Sequence, residues 1–372
     1  MGGESRIRPF RHLPPGFPGS QEGFSFPPLL SYHGKLQGTR IDGKRMDADE
    51  IDPVPPSQEV LGPSEKEEPP SGHVSVLASE VLSYLNPQVG QTIVDATLGV
   101  GGHSLLLARA VSPSGQVIGL DHDQIMIDRA IPRLRGLPFE AIHARFDMLP
   151  EILKSKNISG VDGLLADLGI CSEQLDEAGR GFSFSRPGPL DMRMDQSRGQ
   201  SAADLVNHYS EYDLADLIFR YGEERFSRKI ARYIVTRRGE RRFEDTADLA
   251  AVVRRAISKK DPSGIHPATR TFQALRIAVN EELAVLEGFL GKLHDLVKPG
   301  GVAVIISFHS LEDRQVKNTF RQSEYWEILT KKPVMAGELE TARNPRSRSA
   351  RLRAARRIDP NQPKVYKGGK YR

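Results

Sequence analysis

The sequence has little cysteine and no long apolar run. Its 372 residues include one cysteine, Cys171, so an internal disulfide and a cysteine-based zinc cluster are both excluded. A single thiol suits a reducing compartment. No apolar run approaches the ~20 residues that span a bilayer, so we expect no membrane segment. The N-terminal residues have neither the apolar stretch of a secretory signal nor the acid-free pattern of a transit peptide, and we therefore expect a cytosolic protein.

The charge is unevenly distributed, although the net value is only +4. From Arg343 to Arg372, eleven lysines and arginines stand against a single acid, Asp359. Such a segment favours binding to phosphates, as in a nucleic acid. The alternative is a solvated basic end that has no partner.

The first part of the chain differs in composition from the rest. Residues 1–72 are rich in proline, glycine and charge, and we expect a disordered leader there. From His73 onward, strand-like apolar runs alternate with helical patterns, which is typical of a parallel sheet with crossing helices. The predicted strands are Thr92–Ala96, Gln116–Asp121, Glu140–Ala144, Val161–Asp167 and Val302–Ser307.

A helical pattern interrupts this alternation and predicts an inserted subdomain. The predicted helices are Ala202–His208, Tyr212–Tyr221, Glu224–Arg238 and Thr246–Ser258. A long amphipathic helix over Thr269–Leu296 is expected to lead back to the sheet. The expected division is a leader at 1–72, a first core part at 73–178, the insert at 179–270, a second core part at 271–357 and a basic tail at 358–372.

A glycine-rich turn lies between the first predicted strand and a helix. Gly99, Gly101 and Gly102 allow a backbone to approach a ligand closely. A dinucleotide fingerprint would need glycine in place of Ser104, which weakens an NAD-dependent oxidoreductase without excluding it. Asp121 ends the next strand, at a spacing that suits a carboxylate accepting hydrogen bonds from the ribose of an adenosine. The alternative is an ordinary tight turn with a surface acid behind it.

Nine ordered motifs run from His73 to about Arg357. They are HVSVLASEVLSYL, DATLGVGGHS, GLDHD, DLGICSEQLD, RGFSF, PLDMRMD, NEEL, ISFHSLEDRQVK and NPRSRSARLRAARR. Together they resemble the ribosomal small-subunit methyltransferase H family. The resemblance implies a class I S-adenosylmethionine methyltransferase, an α/β protein with a Rossmann-like, mostly parallel sheet. It further implies methylation of the exocyclic N4 of a cytosine in the decoding region of 16S rRNA, within the small ribosomal subunit.

The resemblance also implies a set of cofactor contacts. They fall on Gly101, Gly102, His103, Asp121, Phe146, Asp167 and Gln174. The amides of the turn are expected to meet the methionine end of S-adenosylmethionine, and Asp121 the ribose. Phe146 would lie against the adenine, although a lone aromatic residue is also compatible with a place in the core.

Methyl transfer needs the acceptor amine, the methyl carbon and the sulfur in line. Because the lone pair of a cytosine amine is delocalised, an acceptor that binds its N–H groups should assist the reaction. Asp167, at a strand end, is the expected acceptor, or else it contacts only the cofactor. Amino-methyltransferases of DNA carry Asp/Asn-Pro-Pro-aromatic at this point, whereas this chain continues Leu168-Gly169-Ile170, which argues against DNA as the substrate.

Two further residues are candidates for the substrate pocket, and Cys171 has to be weighed beside them. His309 and Ser310 follow the last predicted strand, where open parallel sheets present ligands, but they also resemble a helix start. Cys171 would be the nucleophile if the reaction were methylation at carbon 5 of cytosine, and we interpret it instead as a packing residue. No catalytic metal is expected.

RNA contacts are expected from the basic tail and from the insert. The basic residues of the insert are Arg225, Arg228, Lys229, Arg232, Arg237, Arg238, Arg241 and Arg242. Their alternative is a solvated helix face that is paired with glutamates. From the residues alone, a methyltransferase acting on a small molecule or on another RNA base stays open, as does a non-catalytic RNA-binding protein. The oligomeric state is not predicted.

Overall fold

A computed structural model describes residues 75–257, 264–322 and 324–359. The predicted leader and nearly all of the predicted tail at 358–372 lie outside these residues. Within them, no helix is long and apolar enough to cross a bilayer.

Seven strands form one sheet in the order β3-β2-β1-β4-β5-β7-β6. All neighbouring pairs are parallel except those that β7 makes with β5 and β6, so β7 alone among these seven runs against the others. This arrangement confirms the predicted class I methyltransferase fold. The strands are β1 (Thr92–Asp95), β2 (Gln116–Asp121), β3 (Phe139–His143), β4 (Val161–Asp167), β5 (Val297–Ser307), β6 (Trp326–Ile328) and β7 (Arg351–Arg357).

Helices cover the sheet and form the insert. Those attached to the sheet are α1 (Ala78–Leu85), α2 (Gly102–Val111), α3 (Gln124–Ala130), α4 (Leu149–Ser155), α5 (Ser172–Asp176), α11 (Glu282–Leu296), α12 (Ser310–Phe320) and α13 (Glu338–Arg343). Those of the insert are α6 (Ala202–His208), α7 (Glu211–Gly222), α8 (Ser227–Arg238), α9 (Thr246–Ala256) and α10 (Thr269–Val279).

The sheet is buried on both faces. Because successive side chains of a strand point to opposite faces, Ile93 and Val94 of β1 belong to two different apolar clusters. Phe289 of α11 packs on the side of Val94, and Leu107 of α2 packs on the side of Ile93. The strand order reverses between β1 and β4, and a crevice at the carboxyl ends of such strands is where open α/β sheets bind ligands.

The insert has an apolar core of its own, and its end differs from the predicted boundary. Phe272 and Leu275 of α10 pack into the cluster formed by α6 to α9, so the helical subdomain extends beyond residue 270. The single helix predicted over Thr269–Leu296 is wrong, because the chain leaves the helical conformation at Glu281, whose φ is +52°. The side chain of Asn280, the residue before Glu281, is hydrogen-bonded to the loop that precedes α6.

Two strands were missed by the sequence prediction. β7 lies inside the sheet, between β5 and β6, although its sequence RLRAARR is rich in arginine. The residues at 352–355 are nevertheless buried there. The basic run that begins at Arg343 is therefore in part a structural strand and not a free tail.

Candidate active site

The glycine turn has a conformation that side chains disfavour. Gly99 and Gly101 have φ values of +52° and +80°, in the left-handed region. A Cβ at Gly101 would lie 3.0 Å from Cδ1 of Leu134 and 3.1 Å from Cβ of Ala130, whereas a Cβ at Gly99 would meet nothing within 4 Å. One side of the turn is therefore packed, and at Gly99 it faces open space.

Asp121 is held in place at the end of β2. Its Oδ2 accepts a hydrogen bond from the amide of Gly99 at 2.8 Å, and its Oδ1 accepts one from the amide of Asp123 at 2.9 Å. Burial raises the pKa of Asp121 above its ordinary value. The carboxylate is thus oriented by two backbone amides, and each oxygen keeps a lone pair for a hydroxyl donor.

Asp167 and His103 meet at the carboxyl ends of β4 and β1. The amide of Asp167 donates to Oγ1 of Thr97 at 2.6 Å, and its Oδ2 lies 3.6 Å from Nε2 of His103. Within the described part of the chain, Oδ1 of Asp167 and both ring nitrogens of His103 are buried without a hydrogen-bond partner. Unpaired buried polar atoms are costly, so these atoms are well suited to bind a ligand.

Asp95 is hydrogen-bonded to the residues on both sides of the glycine turn. Its Oδ2 accepts a hydrogen bond from Oγ of Ser104 at 2.7 Å, and its Oδ1 accepts one from the amide of Thr97 at 3.2 Å. Burial raises the pKa of Asp95 to about 6. Sequence reasoning missed this residue, although an acid directly before a glycine turn was the available signal.

Phe146 and Gln174 lie beside the same edge of the sheet. Phe146 begins a 3₁₀ helix after β3, is half-buried and contacts Phe289 edge to face at 5.1 Å between ring centroids. The Gln174 amide donates to Oδ2 of Asp123 at 2.8 Å and accepts from the amide of Cys171 at 3.1 Å. The side chain of Gln174 is thus engaged by protein groups, and its contact with a cofactor stays a prediction, as does that of Phe146.

Cys171 is a poor nucleophile in this position. Its Sγ lies 3.3 Å from Sδ of Met126, and burial raises its pKa to about 12. The reactive form of a cysteine is the thiolate, which is scarce at pH 7 when the pKa is raised in this way. This environment favours our interpretation of Cys171 as a packing residue.

His309 and Ser310 both make contacts with other side chains of the protein. His309 caps α12, because its Nδ1 accepts from the amide of Glu312 at 3.4 Å while its Nε2 lies 3.2 Å from Oε1 of Glu312. The hydroxyl of Ser310 donates to the carboxylate of Glu223 in the insert, which also pairs with Arg314 at 2.9 Å. Both residues thus have structural roles, and their place in a substrate pocket stays a prediction.

One group of side chains has the spacing of a metal site. Ligand atoms of Glu282, His309 and Glu312 lie within 4.8 Å of one another. However, the guanidinium of Arg276 makes two hydrogen bonds of 2.8 Å to the carboxylate of Glu282. Because Arg276 already supplies the positive charge, we interpret the group as a buried ion network.

The arginines of the basic run after Arg343 are largely paired within the protein. Arg353 binds Asp313 at 2.7 and 3.1 Å, and Arg357 donates to the carbonyls of His294 and Tyr325. These two side chains hold the sheet to its helices, and they are unsuited to contact RNA.

The basic residues of the insert fall into two groups. Arg237 pairs with Asp248 at 2.8 Å, and Arg238 donates to two backbone carbonyls, so both are structural. On the other side of α8 an exposed stripe begins two residues before the helix and continues along it, and Tyr233 lies next to it. The stripe consists of Arg225, Arg228, Lys229 and Arg232, and within the described residues only Arg232 has an ion pair, at 3.6 Å from Glu211.

Comparison with known proteins gives a consistent result. The sequence model of the MraW methylase family matches residues 70–358. Ribosomal RNA small subunit methyltransferase H of Sorangium cellulosum is 50% identical over 288 residues, which are 77% of this chain and 91% of that protein. The proteins of the same name from Geotalea uraniireducens and Deinococcus deserti are 48% and 51% identical, and the alignments cover 77% of this chain and 98% and 93% of those proteins.

Proposed function

The chain belongs to the MraW methylase family, and from this premise we propose that it transfers a methyl group from S-adenosylmethionine to the exocyclic N4 of a cytosine in the decoding region of 16S rRNA. The name of the relatives, ribosomal RNA small subunit methyltransferase H, supports the substrate class. The observation that carries the chemistry is the carboxylate of Asp167, which ends β4 beside the glycine turn with an unpaired buried oxygen.

The residues at this edge of the sheet fit the cofactor. The left-handed turn faces open space at Gly99, and Asp121 offers lone pairs for two ribose hydroxyls. The other ring nitrogen of His103, Nδ1, has no hydrogen-bond partner among the described residues and suits the polar methionine end. S-adenosylmethionine supplies an electrophilic methyl group on a sulfonium.

Asp167 then acts on the acceptor. Its free Oδ1 accepts a hydrogen bond from the N4 amine, which fixes the direction of the nitrogen lone pair and stabilises the positive charge that develops there. The same oxygen then accepts the proton that the amine loses. His103, 3.6 Å from Oδ2, keeps the carboxylate in place.

The environment of Cys171 favours N4 over carbon 5 of the base. Methylation at carbon 5 requires a thiolate, and the pKa of about 12 disfavours that form. Methylation of an amine needs no covalent intermediate, which agrees with a site built from hydrogen-bond acceptors.

The exposed stripe on α8 is the proposed contact with rRNA phosphates. Three of its four cations lie on one face of the helix and Arg225 just precedes it, while Tyr233, 39% exposed, offers a ring for stacking on an unpaired base. Substitution of both Arg228 and Lys229 by glutamate should weaken binding to small ribosomal subunits and reduce the dependence of log affinity on log salt by about 2. Lys154→Glu, on the exposed face of α4, is the control that should change neither.

The reaction itself is tested with labelled cofactor. The purified protein is incubated with methyl-labelled S-adenosylmethionine and small subunits that lack the modification, and the rRNA nucleosides are then separated. We expect label in N4-methylcytidine and a loss of about 100-fold in kcat for Asp167→Asn. Asp162→Asn, near the opposite end of β4, should keep the activity. Label in 5-methylcytidine, or full activity of Asp167→Asn, would contradict the proposal.

A further inference from the structure

A buried hydrogen-bond network lies behind Asp121. Asp123, Gln174 and Arg180 are 4%, 4% and 6% exposed. Oδ2 of Asp123 accepts from Nη1 of Arg180 at 2.9 Å and from Nε2 of Gln174 at 2.8 Å. The amide of Asp123 in turn donates to Oδ1 of Asp121. Arg180 is thus two hydrogen bonds away from the carboxylate that we assign to the ribose.

The second terminal nitrogen of the Arg180 guanidinium contacts the insert. Its Nη2 donates to the carbonyl of Met194 at 2.8 Å, in the loop before α6. The amide of Met194 donates to Oδ1 of Asn280 at 2.8 Å, and the Asn280 amide group donates to the carbonyl of Met192 at 2.8 Å. Met192 and Met194 are themselves part of the apolar core of the insert. The network is therefore continuous from Asp121 to the helical subdomain.

The geometry of Arg180 differs from that of Arg276 and Arg353, two other arginines with little exposure. Arg276 and Arg353 each bind one carboxylate through two nitrogens, Glu282 and Asp313 respectively. Arg180 instead divides its nitrogens between a carboxylate of the core and a carbonyl of the insert, and its Nε has no partner among the described residues. A guanidinium that served only to neutralise Asp123 would gain more from a bidentate pair.

We infer that Arg180 is a positioning residue that couples cofactor binding at Asp121 to rRNA binding by the insert. A ligand that orders Asp121 also orders Asp123, and through Arg180 it restrains the loop that ends at Met194. Coupling between two sites is reciprocal, so bound rRNA must raise the affinity for the cofactor by the same factor. This inference rests on the proposed function, which supplies the two ligands.

The test measures the affinity for S-adenosylhomocysteine by calorimetry, on the full chain, with and without unmodified small ribosomal subunits. For the unchanged protein we expect binding about tenfold tighter when the subunit is present. Arg180→Lys keeps the charge but cannot span both partners, and the ratio should fall below about twofold. Arg353→Lys, a buried arginine whose carboxylate partner lies in the core, should keep the tenfold ratio.

A second variant approaches the network from the other end. Asn280→Ala removes the bonds to Met192 and Met194, and should leave the affinity of the free protein for S-adenosylhomocysteine unchanged while lowering the ratio. This variant decides the matter if Arg180→Lys fails to fold. A ratio that stays at tenfold in Asn280→Ala and in any folded Arg180→Lys would overturn the inference. So would an unchanged protein that methylates subunits without any shift in affinity, whereas failure to methylate would overturn the proposed function itself.

Discussion

Replacement of Gly101 by alanine tests whether the glycine turn is built around a ligand. An alanine in the left-handed region costs roughly 1–2 kcal/mol, and the φ of Gly101 is +80°. The new methyl group would also lie 3.0 Å from Leu134 and 3.1 Å from Ala130, and such overpacking typically adds about 1–3 kcal/mol. We expect the free energy of unfolding to fall by about 2–5 kcal/mol.

Gly136 provides a matched control for this substitution. Its φ is +83°, nearly that of Gly101, but a Cβ there would meet nothing within 4 Å. Gly136→Ala should therefore show the backbone cost alone, about 1–2 kcal/mol, and no change in ligand affinity. Gly101→Ala should in addition weaken binding of S-adenosylhomocysteine at least tenfold, because a displaced turn amide loses a hydrogen bond worth about 1.5–3 kcal/mol to a charged group.

Urea unfolding and calorimetry of both variants give the answer. If the two alanines lower the free energy of unfolding equally and neither affects ligand binding, then the turn is an ordinary βα connection and the assignment of the cofactor to it is refuted.

Three further predictions concern single side chains. Cys171→Ser should keep its methylation activity and its N4 product in nucleoside analysis, since the thiol with a pKa of about 12 has no nucleophilic role. His309→Ala should lower the free energy of unfolding by about 1–2 kcal/mol in urea, because α12 loses its cap, with the affinity for S-adenosylhomocysteine unchanged. Burial raises the pKa of Asp95 from 3.8 to about 6. Between pH 3.8 and about pH 6, the folded protein therefore keeps a proton on Asp95 that the unfolded chain has released. Above that range Asp95 is ionised in the folded protein as well, and the buried charge destabilises the fold. Asp95→Asn should therefore gain up to about 3 kcal/mol relative to the unchanged protein as the pH rises from 4 to 7, measured by unfolding across that range; parallel pH curves would contradict this reasoning.

The parts of the site that sequence predicts well are those defined by neighbours in the chain. The strand, the turn and the acid that follow one another from Thr92 to Asp121 are local features. In the structure the amide nitrogen of Gly99 lies 2.8 Å from Oδ2 of Asp121. Asp123 and Arg180 are 57 residues apart and share no local pattern, so only the fold reveals their contact. The break at Glu281 was missed because the apolar helical period continues across it while distant hydrogen bonds to Asn280 end the helix.

The number of arginines in a segment was the least reliable sequence signal for RNA binding, because charge counted along a sequence does not show what each guanidinium binds. Arg353 lies on a strand inside the sheet and pairs with Asp313, so its removal leaves a partly buried carboxylate unpaired and destabilises the fold. Arg228 is exposed and has no ion pair within the described residues, so its removal costs little stability and changes mainly the surface charge. If a substitution on α8 weakens RNA binding, the loss can therefore be attributed to the lost surface charge. If a substitution of Arg353 on β7 weakens RNA binding, the loss would instead reflect unfolding.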